Sequence, residues 1–327
     1  MNNNTTKILS AWQKVNGEKN IWQHLSIEDE AFYFNQGDKK IFLSSFKNKD
    51  LPISPYDMTW MGKLLTKLST FANIMSKRPG TEEVTFYSIL EKPHNTGFGV
   101  SWDRKVLNIV APPITWRRIE IEKSIKELIK KYIFDYKESF AFIDIGSGGG
   151  FDSLEIERIL LGMTDLLEKD ILPKEYNLLN IDIDSKWLNN NEKLSKSIFG
   201  QRSRIKRHNM SVFEYLSKKM YKKEALAHEN VIVCCNGFAE FLSDEDLRAL
   251  YTEIYDMVST FAGKVNVILA FANKNPKQEK LGEKIGFKYK AKEKEKMLDL
   301  VKEIFVDFKI SFSEKHDQIV LMVERSI

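Results

Sequence analysis

The chain has 327 residues, 43 % of them apolar and 29 % charged, which is enough for one large domain, or two, around a real hydrophobic core. Its 50 basic and 46 acidic residues leave a net charge of +4, too even a balance to argue for nucleic acid as a partner. No apolar run approaches the ~18–20 residues of a membrane span, and the opening MNNNTTKILSAWQK holds no apolar signal core, so a cytoplasmic location is expected.

The first third reads as mainly helical. Between Thr59 and Met75, the residues Met61, Leu64, Leu65, Leu68, Phe71, Ala72 and Met75 fall at helical intervals and predict one helix. Pro79 and Gly80 break it. Glu83–Leu90, rich in β-branched and aromatic residues, fits a strand or a buried helical turn. Ala111–Trp116, with Pro112 and Pro113, predicts another break. From Thr115 a helix is expected, with Ile121, Ile125, Leu128, Ile129 and Tyr132 on one stripe. The boundary drawn from this pattern separates a mainly helical segment, 1–114, from a second unit, 115–327.

From Phe140 apolar strands alternate with helices. FAFIDI, YNLLNIDI, RIKRHN, ENVIVCCN and VNVILAF read as successive strands, and Ser243 with Asp246 three positions on has capping-box spacing ahead of a helix. The final stretch reads as two strands joined by a polar turn at Ser313–Asp317. The pattern predicts an α/β fold: a Rossmann-like, doubly wound, mostly parallel sheet with a C-terminal antiparallel hairpin. Cys234 and Cys235 are neighbours on one strand and so point to opposite faces; reduced thiols are expected, with no disulfide and no metal site. The Lys-rich patch Lys288–Lys296 reads as a solvated helix face or loop.

The densest signal is DIGSGGGFD, straight after the first of these strands. A strand–Gly loop–helix unit lets backbone approach a ligand closely beside free helix N–H groups. The dinucleotide pattern Gly-x-Gly-x-x-Gly/Ala fails, because its sixth position would be Phe151 or Ser153, and no Gly-Lys-Ser/Thr stands here for a P-loop. What remains is Asp144-x-Gly146-x-Gly148-x-Gly150. This resembles motif I of the class I S-adenosylmethionine-dependent methyltransferases. The resemblance covers Thr115 to Ile327 and implies S-adenosyl-L-methionine as cofactor. On it, Asp144 helps hold the cofactor's amino group, and Gly146, Ser147, Gly148 and Gly150 pass under its methionine part. Asp182, in NIDIDS, grips the ribose hydroxyls with two acceptor oxygens; Asp184 is the alternative register, and Ile183 lies between them. Asp182 stands further from the loop than the ~20 positions usual for such units, an excess that a long first helix and its connection would absorb. Asn209 and Met210 would flank the adenine in place of the family's usual Asp, with Ser211 as an alternative. Asn236 and Gly237 would line the pocket beside the reacting methyl group.

NTGFGVSWDRKVLNIVAPPITWRRIEIEKSIKELI is similar to the lead-in of a group of poorly characterised bacterial methyltransferases, through Gly97, Gly99, Asp103-Arg104, Asn108 and Arg118. On that likeness Arg104 and Arg118 reach the cofactor carboxylate or a substrate; a structural Arg–Asp pair is the other reading. No catalytic signature is expected, because methyl transfer depends mainly on positioning the acceptor. His94 and His208 are the histidines nearest the motifs. The aromatics Trp12, Trp22, Phe32, Tyr33, Phe34, Trp60 and Trp102 precede Thr115 and suggest a lid over a small-molecule acceptor, or simply that segment's own core. Three other readings stay open: transfer of the cofactor's aminocarboxypropyl group, as in nicotianamine-synthase-like proteins; methylation of RNA or protein, for which Arg202–His208 is the one basic feature; and non-catalytic cofactor binding.

Overall fold

The computed structural model describes residues 3–52, 57–93, 98–133, 138–167, 175–237, 239–287 and 290–325. Helix α1 (Asn3–Gly17) leads through a 3-10 turn at Ile21–His24 into a small antiparallel sheet of β1 (Leu25–Glu28), β2 (Ala31–Gln36) and β3 (Lys39–Ser45). Helices α2 (Trp60–Leu68), α3 (Thr70–Lys77), α4 (Glu82–Leu90) and α5 (Phe98–Lys131) follow. The alternating part comprises β4 (Phe140–Ile145), α6 (Phe151–Leu166), β5 (Tyr176–Asp182), α7 (Ser185–Phe199), β6 (Ile205–Asn209), α8 (Val212–Ser217), α9 (Tyr221–Glu224), β7 (Asn230–Cys235), α10 (Asp244–Ser259), β8 (Lys264–Ala272), α11 (Pro276–Ile285), α12 (Lys294–Ile304), β9 (Lys309–Lys315) and β10 (Gln318–Arg325).

Among the described residues the main sheet has seven strands in the order β6-β5-β4-β7-β8-β10-β9. The first five are parallel, and β10 runs antiparallel to both β8 and β9. This is the expected doubly wound sheet with its terminal hairpin. The hairpin turn is tighter than Ser313–Asp317: β9 continues to Lys315, and only His316 and Asp317 turn, both at positive φ, as a two-residue hairpin of the primed type requires. Every residue of β4 is buried, since helices cover both of its faces. Alternate side chains feed two cores. Phe140, Phe142 and Cys234 point to the face that carries α5, α6, α7 and the N-terminal elements. Ala141, Ile143 and Cys235 point to the face that carries α8, α10 and α12. The two cysteines are therefore back to back, both free.

Two local expectations need correction, and a third segment, open between a strand and a buried helical turn, is decided. Thr59–Met75 is two helices, because Ser69 leaves the helical conformation and caps α3, accepting from Ala72 N–H at 3.1 Å while donating to Asp103. Glu83–Leu90 is helix, not strand. The prolines at 112 and 113 do not end a helix: α5 runs unbroken through them for 34 residues. A proline at 113 frees the carbonyl of Ile109 four residues back, and Gln278 Nε2 of α11 reaches that oxygen at 3.4 Å. A further element had no counterpart in the sequence reading, the β1–β3 sheet within the first segment. In the Lys-rich patch, Lys292 is buried, and its ammonium bonds Leu242 O and Asp244.

Candidate functional site

The Gly loop owes its shape to three glycines at positive φ, Gly146, Gly148 and Gly150. Gly150 starts α6, and a Cβ there would run into the amides of Asn180 and Asn191 beneath the loop. Asn191 Nδ2 holds the carbonyls of Gly149 and Gly150 at 2.8 and 3.1 Å. Asn180 accepts from Ser153 at the start of the same helix. Gly146 N–H and Ser147 N–H both donate to Ile181 O. Strand β5 thus supports the loop from behind and leaves its other side to face a cavity.

That cavity, of about 460 Å³, opens at the C-terminal ends of β4, β5, β7 and β8. This is where an open α/β sheet presents ligand sites, and the volume lies in the range of small-molecule pockets. Its floor carries Asp144, Gly146, Ser147 and Gly148 from the Gly loop, Asp182 and Ile183 from the end of β5, Met210, and Asn236 and Gly237 after β7. Its roof comes from the first segment and α5: Trp22, Met75, the turn Pro79–Thr81, Glu82, Val84 and Thr85, then Val110, Pro113, Ile114, Arg117 and Arg118. Phe241, Leu281 and Phe287 complete the wall. Gly80, at φ +70, lies so close to the Phe241 ring that a Cβ would meet it at 2.5 Å.

Gly150 and Asn209 lie off the wall. Gly150 acts through packing, as described, and Asn209 Nδ2 donates to Ile183 O at 2.9 Å, fixing the chain beyond β5. Asp182 accepts from Gly148 N–H and Asp184 N–H, both at 2.7 Å, so it ties the loop to the strand end. Asp184, the register alternative, also lines the cavity but spends its carboxylate capping α7 at Lys186 N–H. Ser211 caps α8. Arg118 lines the cavity, pairs with Glu122 at 2.5 Å and lies over the Trp22 ring. Arg104 is exposed on α5, away from the cavity, and its neighbour Asp103 is taken up by Ser69, Phe71 N–H and Tyr87. His208 pairs with Glu224 at 2.8 Å, off the cavity wall. His94 and Gly97 lie outside the described residues. In the basic stretch, Arg202 pairs with Asp165 and Arg207 bonds Asn191 and Ser195.

The fold adds groups that the sequence did not single out. Glu82, at the start of α4, accepts from Gly149 N–H at 3.2 Å. Asp152 opens α6 in the same corner. Burial is the main cause that raises Glu82 to about 8, Asp152 to about 7, and Asp144 well above its ordinary value; repulsion from Asp152 and Asp182 adds to it at Glu82 and Asp144, and repulsion from Glu122 and Glu155 at Asp152. Asp182 is raised by burial too. Arg117, one residue before the predicted Arg118, pairs with Glu240 and donates to Gln318 Oε1 at 3.0 Å, all three lining the cavity. No helix of the described residues is long and apolar enough to cross a membrane, and none of their His, Cys, Asp and Glu side chains form a group that could hold a metal ion.

No protein-family model matches the chain, and neither does any curated protein sequence. Solved structures do. A possible exported protein from Bordetella parapertussis matches with a TM-score of 0.51 at 11 % identity, over 82 % of this chain and 87 % of that one. A candidate methyltransferase from Thermobifida fusca YX matches with a TM-score of 0.50 at 12 % identity, over 76 % and 95 %. A looser likeness, TM-score 0.40 at 12 % identity, over 65 % and 87 %, is to magnesium protoporphyrin IX methyltransferase from Synechocystis PCC 6803 with bound S-adenosylhomocysteine. Identities this low speak to architecture alone; the first two likenesses agree on it with the strand order, the terminal hairpin and the glycine loop on β4, and the chain has the fold of the class I S-adenosylmethionine-dependent methyltransferases.

Proposed function

We propose that the protein is a methyltransferase that binds S-adenosyl-L-methionine along the Gly loop and methylates a small-molecule acceptor held beneath the N-terminal segment. The observation that carries this reading is one continuous cavity whose floor is the Gly loop with Asp144 and Asp182 and whose roof is Trp22, Glu82, Val84 and α5. The chemistry of its polar groups fits the cofactor. Ser147 Oγ, buried on the floor, has no partner among the described residues. The crowded carboxyls would each be eased by a cationic ligand, and S-adenosylmethionine carries a sulfonium and an ammonium.

In this reading Asp144 faces the amino group, Asp182 the ribose hydroxyls, and Ile183 and Met210 the adenine ring. When bound, the cofactor supplies a methyl group already activated for displacement. The chain's own part is to bind, align and exclude water. Val110, Pro113, Ile114, Leu281 and Phe287 make an apolar chamber for the acceptor's body, and the roof closes it from the first segment. Enclosure on this scale supports a small molecule over a nucleic acid or a protein; in the basic stretch Arg202 is paired with Asp165, and the Arg207 guanidinium is turned into the chain against Asn191 and Ser195.

Calorimetry should show S-adenosylmethionine and S-adenosylhomocysteine binding, with Asp182→Ala weakening both at least about tenfold. Unaltered affinity in that variant would remove the ribose assignment. Release of S-adenosylhomocysteine during turnover supports methyl transfer; methylthioadenosine would redirect the reading to aminocarboxypropyl transfer, and tight binding without turnover to a binding protein.

A further inference from the structure

The cavity has a second polar end, away from the Gly loop, where the turn after β7, the start of β10 and the middle of α5 converge. Glu240 sits there, 5 % exposed. Its Oε1 accepts from Arg117 and from Ala272 N–H at 3.1 Å. Its Oε2 is buried and has no partner among the described residues, and Glu240 is one of the residues that line the cavity. Asn236 Oδ1, on the same wall, is a second buried acceptor without one. Arg117 is committed on its other side to Gln318. A buried carboxylate oxygen left without a donor is costly, so the natural complement to this end of the cavity is a group rich in N–H or O–H.

Charge narrows the choice. Among the described residues the wall carries six carboxyl groups, Glu82, Asp144, Asp152, Asp182, Asp184 and Glu240, against two guanidiniums, Arg117 and Arg118, and no lysine or histidine. Burial pushes Glu82, Asp144 and Asp152 toward their neutral forms; a cation would draw them back to carboxylates, whereas a carboxylate or phosphate finds no surplus of cations there. A hydroxyl brings one hydrogen to two waiting acceptors, whereas a protonated amine brings two or three and a positive charge. We infer that the methyl acceptor is an amine with an apolar body, whose N–H groups are received by Glu240 Oε2 and Asn236 Oδ1 while the body rests against Ile114, Leu281 and Phe287; one ammonium proton passes to the Glu240 carboxylate, the freed nitrogen lone pair forms the N–CH3 bond as the S–CH3 bond breaks, and S-adenosylhomocysteine leaves. This deepens the methyltransferase reading and rests on it.

The test uses the full chain saturated with S-adenosylhomocysteine and three probes of one shape: phenethylamine, phenethyl alcohol and phenylacetate. Saturation-transfer NMR and calorimetry should rank the amine at least about tenfold above the alcohol, with the carboxylate not binding. Glu240→Gln keeps an oxygen for Arg117 but loses the carboxylate; it should lower amine affinity about tenfold while S-adenosylhomocysteine affinity stays as in the wild type, which shows the site intact even though loss of the Arg117 ion pair lowers the Tm. Alcohol or carboxylate binding as tight as the amine, no binding of the amine, or an indifferent Glu240→Gln variant would each overturn the inference. Failure of the wild type to bind S-adenosylhomocysteine would instead refute the underlying methyltransferase reading.

Discussion

The two faces of the main sheet are built on different plans. One is closed by α8, α10 and α12, which follow locally from the strands they cover, and its core takes residues only from Ala141 onward. The other is continuous with the first segment: Ile8, Trp22, Phe32, Phe71 and Phe86 share one core with Phe142, Phe151, Leu154 and Trp187. Phe86 is the hub, in ring contact with Trp22, Phe32, Phe151 and Trp187. An electrostatic tie reinforces it, since the fully buried Glu83 accepts from Ser44, Arg78 and Lys186 at the start of α7. The first segment is therefore fastened to the sheet by its core, and the cavity lies at the rim of that joint. Whatever closes over the site is anchored a few residues away, at Phe86 and Glu83.

The sharpest way to break this contrast is Phe86→Ala. It should cost about 3–5 kcal/mol, and urea melts followed by near-UV and far-UV circular dichroism should lose both regions together; an early separate transition for the first segment would mean the two cores are independent. Glu83→Gln should cost about 2 kcal/mol, the low end for a buried ion pair because Lys186 is partly exposed, and should speed hydrogen exchange in α4 and the start of α7 more than in α10. A pH titration probes the rim. Glu82 and Asp152 have folded values of about 8 and about 7, above their ordinary 4.5 and 3.8. The folded state therefore holds protons that the unfolded chain has released, and their contribution to stability is full below about pH 4 and lost as pH rises through 7 to 8. Glu82→Gln should raise the Tm of the ligand-free protein at pH 8 and leave it unchanged near pH 4. The smallest effect belongs to the other face: Ile254→Val, in α10, should cost about 1 kcal/mol and leave S-adenosylhomocysteine affinity unchanged.

The sheet was readable because its signals are local. Central strands are short apolar runs, the Gly loop needs a specific backbone, and neighbouring cysteines must split between faces. The first segment was harder. Its β1–β3 strands are short and strongly aromatic without strict alternation, and Glu83–Leu90 is apolar enough to suit either helix or strand. The prolines of α5 mislead because Gln278, 169 residues from Ile109, reaches the freed carbonyl. At the site, Asp144 and Asp182, which the motif resemblance singled out at strand ends, both line the cavity. Glu82 lies between the Pro79-Gly80 break and the apolar run from Glu83, with nothing to mark it, and Arg117 is one of two adjacent arginines. Only the fold brings them to the cavity, and no spacing within either segment marks them.

The joint at Phe86 also bears on how the chain is made. Synthesis delivers Trp22, Phe32 and Phe86 long before Phe151 and Trp187, the rings that close around them. The early aromatic side chains thus wait on the ribosome without their partners, and the first segment can reach its final packing only once α7 has emerged. A nascent chain stalled before Phe151 would carry an exposed aromatic cluster, the kind of surface that holdase chaperones retain.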